Sequence, residues 1–200
     1  MIEQVTKEHL GGYVDGGHPA TFFPILWEYI VKKYNIKSVV DVGCGQGHST
    51  QFFKSLGCSV LGIDGMDDHN RLINGNDFLI NDYTKDSALV NAQFDLCWSC
   101  EFVEHVEEQY VDNFLKDFAQ ARYIIMTHAT PGQSEKDHAH HHVNEQNAEY
   151  WIDKIQNFGY DFDVETTTAL RAIADADAHS RLDGDYYNHF VNKGLFFRRA

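Results

Sequence analysis

The segment FFPILWEYIVKKY, starting at residue 22, puts apolar residues at helical spacing: Phe22, Ile25, Leu26, Tyr29 and Ile30. Pro24 suits its first turn. Beyond it, short apolar runs alternate with amphipathic stretches. The pattern predicts strands over residues 38–42, 59–63, 77–80, 94–99 and 123–126. Between and after them it predicts helices over 48–56, 85–90, 107–119 and 147–158, with a short one near 67–72. Tyr110, Val111, Phe114, Leu115 and Phe118 form the inward face of one helix; Tyr150, Trp151, Ile155 and Phe158 form that of another. Residues 160–165 and 194–198 read as two closing strands. Such alternation means an α/β fold, a mostly parallel doubly wound sheet covered by helices on both faces. In such a sheet the ligand lies beyond the carboxyl ends of the strands, at the switch point.

Composition narrows this picture. The 200 residues suit one domain: a lid and helix over 1–35, a core over 36–165 and a substrate-side segment over 166–200. Acidic residues outnumber basic ones 30 to 16, a net charge of −14, which disfavours a nucleic-acid partner because phosphate binding rests on Lys and Arg. No apolar run approaches the roughly 20 residues that span a bilayer, and the N-terminus has no apolar signal region. The expectation is a cytoplasmic protein with reduced cysteines and a small-molecule substrate. Its oligomeric state is not legible.

The first strand runs into Asp41-Val42-Gly43-Cys44-Gly45-Gln46-Gly47-His48. A dinucleotide fingerprint counted from Gly43 would need glycine where His48 stands. The D-x-G-x-G-x-G pattern instead resembles motif I of the class I S-adenosylmethionine-dependent methyltransferases. Asp64, followed by Gly65, closes the second strand, where a carboxylate can accept both ribose hydroxyls. Asp82 and Tyr83 end the third. The resemblance covers residues 36 to about 165 and implies a Rossmann-like sheet of seven strands in the order 3-2-1-4-5-7-6. It implies that Asp41, Gly43, Cys44, Gly45 and Gly47 surround the methionine part and ribose of S-adenosylmethionine. It further implies that Asp64 and Gly65 take the ribose, that Asp82 and Tyr83 flank the adenine, and that Cys100 borders the cofactor.

The fourth strand leads into CWSCEFVEHVEE, residues 97–108. Its C-x-x-C could be a redox pair or half a zinc site. On a strand, however, Cys97 and Ser99 face one way and Trp98 and Cys100 the other, so packing is the expected role. The E-x-x-E-H pattern resembles one that two methyltransferase subgroups use to hold magnesium against substrate hydroxyls: ubiquinone-pathway O-methyltransferases and enzymes acting on the 3′-terminal ribose of small RNAs. On a helix start Glu101, Glu104 and His105 share a face and can converge. In the loop His138-Ala139-His140-His141-His142, His140, His141 or His142 would complete the set, with His141 chosen among these three. Carboxylates suit magnesium, and a bound dication lowers the pKa of an attached oxygen. The metal-free alternative makes Glu101, His105 and His141 the catalytic groups, a histidine serving as general base.

Over the site the expectation places Tyr13, Asp15, His18 and Phe22 from the N-terminal segment. Arg171, His179, Arg181, Tyr186, Tyr187 and His189 come from the C-terminal one. Their polarity suggests a hydroxylated acceptor such as a sugar, methylated on oxygen. N- or C-methylation, or cofactor binding without catalysis, are the alternatives.

Overall fold

The computed structural model describes residues 8–10, 16–89, 91–137, 141–177, 181–182, 185–186 and 189–200. Seven strands form the central sheet: β1 (Ser38–Val42), β2 (Ser59–Asp64), β3 (Phe78–Ile80), β4 (Phe94–Ser99), β5 (Ala121–Met126), β6 (Tyr160–Phe162) and β7 (Leu195–Arg199). Their order is 3-2-1-4-5-7-6, as expected. The pairs β1–β2, β1–β4, β2–β3 and β4–β5 are parallel; β7 runs antiparallel to both β5 and β6. Residues 181–182 and 185–186 make a separate two-stranded hairpin.

Helices α1 (Pro24–Tyr34), α2 (His48–Ser55), α3 (Val111–Phe118), α4 (Gln133–Asp137), α5 (Ala148–Gln156), α6 (Val164–Ala174) and α7 (His189–Lys193) surround the sheet. The alternation of strand side chains splits the core in two. Val40, Val42, Cys97, Ile124 and Met126 pack with Phe114, Phe118 and Trp151 of α3 and α5. Val39, Leu96, Trp98 and Ile125 pack on the other face with Leu26, Trp27, Ile30, Phe53, Leu170 and Phe190. Trp98 stacks on Phe190 at 5.7 Å and meets Trp27 edge-on at 5.6 Å. Among the described residues no helix is long and apolar enough to cross a membrane.

Several expected elements differ. On α1 the buried residues are Leu26, Trp27 and Ile30, while Ile25 is 47% and Tyr29 37% exposed. The face turns because the indole of Trp27 has most to gain from burial. Residues 67–72 form no helix: Asp68 accepts from the amide of Asn70, and the amide of Leu72 donates to the carbonyl of Gln46. Residues 85–89 form none either. The amides of Ala88 and Leu89 donate instead to the buried carboxylate of Asp117 on α3, which also accepts from the Tyr83 hydroxyl at 2.7 Å. The strand expected over 160–165 stops at Phe162, because Asp163 caps α6 by accepting from the amide of Thr166. Helix α6 thus fills much of the segment expected to face substrate, and Arg171 donates to the carbonyl of Gly194, tying α6 to β7.

Asp117→Ala would strand two amides and a hydroxyl at a cost of about 1–3 kcal/mol per buried unmet group. We expect a loss of roughly 3 kcal/mol or more, read as a lower urea midpoint at unchanged slope. Asp117→Asn, which keeps one acceptor oxygen, should lose less.

Candidate functional site

Strand β4 lies beside β1, with Val39 opposite Leu96 and Asp41 opposite Trp98. The chain leaves this pair in opposite directions, toward β2 on one side and β5 on the other. The crevice at their carboxyl ends is therefore the switch point of the sheet. The glycine loop closes one wall. Gly43, Gly45 and Gly47 have φ of 75°, 54° and 84°. At Gly43 the need is double, because a Cβ would meet the Phe102 ring at 2.4 Å in a backbone region L residues avoid.

Beneath the loop the Asp41 carboxylate is buried. It accepts from the hydroxyls of Ser49 at 2.5 Å and Thr50 at 2.6 Å, fixing the first turn of α2 to β1. Burial pushes its pKa up to about 6, and the hydroxyl bonds only partly oppose this. Asp64 accepts from the amides of Gly45 at 2.8 Å and Met66 at 2.9 Å. Beyond it lies a cavity of about 60 Å³ lined by Leu10, Asp64, Gly65, Asp82, Tyr83, Phe102 and His105, among others. Asp82 accepts from Thr84 and His9. Burial opposes its charge, but these bonds and Lys85 outweigh it and hold the carboxyl below its usual range. The Leu10 side chain lies over Gly65, so the turn Glu8–Leu10 covers this end of the crevice. The Tyr83 hydroxyl is engaged by Asp117, and Cys44 is buried with its Sγ beside Gly62.

The second wall follows β4. Glu101 is not on a helix: it has φ of 50°, and a 3-10 turn, Val103–His105, follows it. Its carboxylate faces α7, pairing with His189 Nδ1 at 3.0 Å and accepting from the Thr127 hydroxyl at 2.9 Å. Burial works against this charge, but His189, Lys193 and Thr127 outweigh it and hold Glu101 below the usual carboxylate range. Glu104 is fully buried, and neither of its carboxyl oxygens has a hydrogen-bond partner among the described residues. Burial, then the charge of Glu101, drives its pKa well up. Burial and the neighbouring His142 lower His105 to about 4.

Glu104, His105 and His142 each offer a donor atom within 4.8 Å of the others. The expected convergence is thus corrected in two respects. Glu101 is drawn out of the group by His189, and His142 rather than His141 completes it. His141 has φ of 58° and contributes its carbonyl, which accepts from His105 Nδ1 at 3.1 Å. His140 and His138 lie outside the described residues.

A family described as Methyltransferase domain matches residues 40–121, from β1 through the start of β5. With the strand order and the glycine loop already in place, this match agrees with the fold: residues 40–121 carry a methyltransferase domain, and the seven-stranded sheet has the methyltransferase fold. Among solved structures the chain resembles the plantazolicin methyltransferase BpumL in complex with a triazolic desmethylPZN analog and S-adenosylhomocysteine. Identity is 15%, the TM-score is 0.57, and the match covers 93% of this chain and 88% of that one. The methyltransferase domain of bacterial CtHen1-C is similar at 15% identity and TM-score 0.55, covering 88% and 98%. Magnesium protoporphyrin IX methyltransferase from Synechocystis PCC 6803, with bound S-adenosylmethionine, is similar at 14% identity and TM-score 0.53, covering 88% and 76%. No curated protein sequence matches significantly.

The other expected residues are distributed unevenly. All four cysteines are free, and Cys100 packs toward the Trp98 face and accepts from the Thr127 hydroxyl, away from the cavity lining. Phe22 belongs to the core, edge-on to Trp27 and Phe52. His18 caps the turn Pro19–Thr21 through Nδ1 and stands 6.1 Å from His189. Tyr13, Asp15, His179 and Tyr187 lie outside the described residues, as do the side chains of Arg181 and Tyr186. The sequence carried no signal for Thr127, Gln133 or Lys193 because each joins the site through a contact distant along the chain.

Asp41 supplies a pH test. Its folded pKa of about 6 lies above the usual 3.8, so the folded protein holds this proton more tightly than the unfolded chain. Its contribution to stability is therefore complete at low pH and is lost as pH rises through 4 to 6. Two units at 1.36 kcal/mol each give about 3 kcal/mol. The stability difference between the wild type and Asp41→Asn should shift by that order between pH 4 and pH 7, in favour of the variant at the higher pH, in urea titrations across the range.

Proposed function

We propose that this chain is an S-adenosylmethionine-dependent methyltransferase that transfers the methyl group to a hydroxyl oxygen of a small polar acceptor bound between the glycine loop and the 101–105 turn, with a divalent metal ion at Glu104, His105 and His142. The observation that carries the reading is Glu104. A buried carboxyl with no hydrogen-bond partner on either oxygen among the described residues is costly, and it lies beside two imidazoles where an ion would satisfy all three.

The cofactor supplies a methyl group already activated as a sulfonium. The chain's contribution is binding, orientation and control of protons. Asp64 would accept the ribose hydroxyls, and Gly43 to Gly47 would let backbone approach the methionine part. Asp82 borders the adenine end with Tyr83 and Gly65. Asp41 supports the loop from below and Cys44 packs it. The Glu8–Leu10 turn has to move for a nucleoside to enter, since about 60 Å³ is far below the roughly 300 Å³ of a ligand-sized pocket.

A dication held by this donor set would supply Lewis acidity toward an acceptor hydroxyl. His105, held neutral, suits a ligand better than a base. A second reading, without metal, rests on the 3.0 Å pair of His189 and Glu101: the carboxylate fixes the imidazole with Nε2 free, as in a base–orienter pair.

Calorimetric titration with S-adenosylhomocysteine should show binding. Asp64→Ala should weaken it by roughly 10- to 100-fold, the worth of about 1.5–3 kcal/mol for hydrogen bonds to a charged group. Absence of binding by the wild type to either form of the cofactor would remove the reading. With a panel of phenols and polyols, mass spectrometry should find the methyl group on oxygen; a methyl on nitrogen or carbon would redirect it.

A further inference from the structure

The histidine loop is fastened to the 103–105 turn by its backbone. The amides of Val143 and Asn144 both donate to the carbonyl of Glu104, at 2.9 and 3.0 Å, and His105 Nδ1 meets the carbonyl of His141. A carbonyl can only accept, so His105 carries its proton on Nδ1 and keeps a lone pair on Nε2.

His142 is treated the same way by another group. Its Nδ1 lies 2.8 Å from Oε1 of Glu145. That oxygen also accepts from the amide of Ser134 at 2.6 Å, while Oε2 accepts from the amide of Gly132 at 2.7 Å. A carboxylate committed to two amides has no proton to give, so His142 must donate from Nδ1, and in the neutral ring the lone pair then lies on Nε2. The side chains of His142 and Glu145 are 5% and 12% exposed, so water competes little for this bond. Both imidazoles thus carry the protonation pattern of metal-ligating histidines, whose second nitrogen donates to a carbonyl or carboxylate. A cap for the start of α4 needs no histidine at all.

We propose that Glu145 is the positioning residue of the Glu104–His105–His142 group, fixing the tautomer and orientation of His142 so that its Nε2 completes a divalent-metal site. This rests on the metal reading above and adds a residue outside the ligand set.

Titration of the full chain with Co²⁺, followed by visible absorption, tests both. The wild type should develop the d–d bands of a nitrogen-and-oxygen site, and Glu104→Gln should lose them. Glu145→Gln should bind Co²⁺ about 10- to 100-fold more weakly, the usual cost of losing such an outer partner. If Glu145→Gln binds as tightly as the wild type, the role of Glu145 is overturned while the metal reading stands. If the wild type binds no Co²⁺, both fall. Should Glu145→Gln fail to fold, long-range ¹H–¹⁵N spectra of the metal-free wild type decide. The His142 signal, identified by its loss in His142→Asn, should show a protonated Nδ1, and a protonated Nε2 would overturn the proposal.

Discussion

The parallel pairing of β1 with β4 is the constraint on which the site depends. The two strands are distant in sequence, yet their carboxyl ends emerge side by side. One end continues into the glycine loop and the other into the 101–105 turn. Phe102 then packs where a Cβ on Gly43 would otherwise stand, so the two walls touch at a position that has no side chain. The register is held by burial on both faces. A slip by one residue would move Trp98 out of the Phe190 and Trp27 packing and place Cys97 there instead.

On this frame two carboxyl groups three residues apart receive opposite treatment. Glu101 turns toward α7 and finds His189, Thr127 and, through Gln133, Lys193. Glu104 turns inward, and neither of its oxygens has a hydrogen-bond partner among the described residues. Like charges held close in a dry interior cannot both be stable, so the group with hydrogen-bond donors keeps its charge and the other resists ionisation. An apolar residue of similar volume would often be as stable there.

What the sequence made legible follows from how local each cause is. The strand order came through because alternating apolar runs and a glycine turn are local signals with a family resemblance attached. Asp64 and Gly43 were placed for the same reason: a strand end and a positive φ are fixed by near neighbours. Glu101 was misplaced because its direction is set by His189, which comes from the other end of the chain. His142 could not be separated from His141 by pattern, since the two are adjacent and identical. Only Glu145 and the left-handed backbone at His141 distinguish them. The missing helix over 85–90 has a similar origin, as its amides answer to Asp117 on α3.

The two halves of the crevice are therefore built by different means. The glycine-loop half is made of backbone: glycine turns, amides on Asp64 and a hydroxyl-capped Asp41, all within β1, α2 and β2. The facing half is made of side chains brought from the ends of β4 and β5, the histidine loop and α7. Backbone geometry is indifferent to most substitutions, whereas side-chain geometry changes with any one of them. The same fold can thus keep its glycine loop while the facing wall diverges. In this chain that wall holds a buried carboxyl and two imidazoles, each imidazole held by a carbonyl or carboxylate that can only accept.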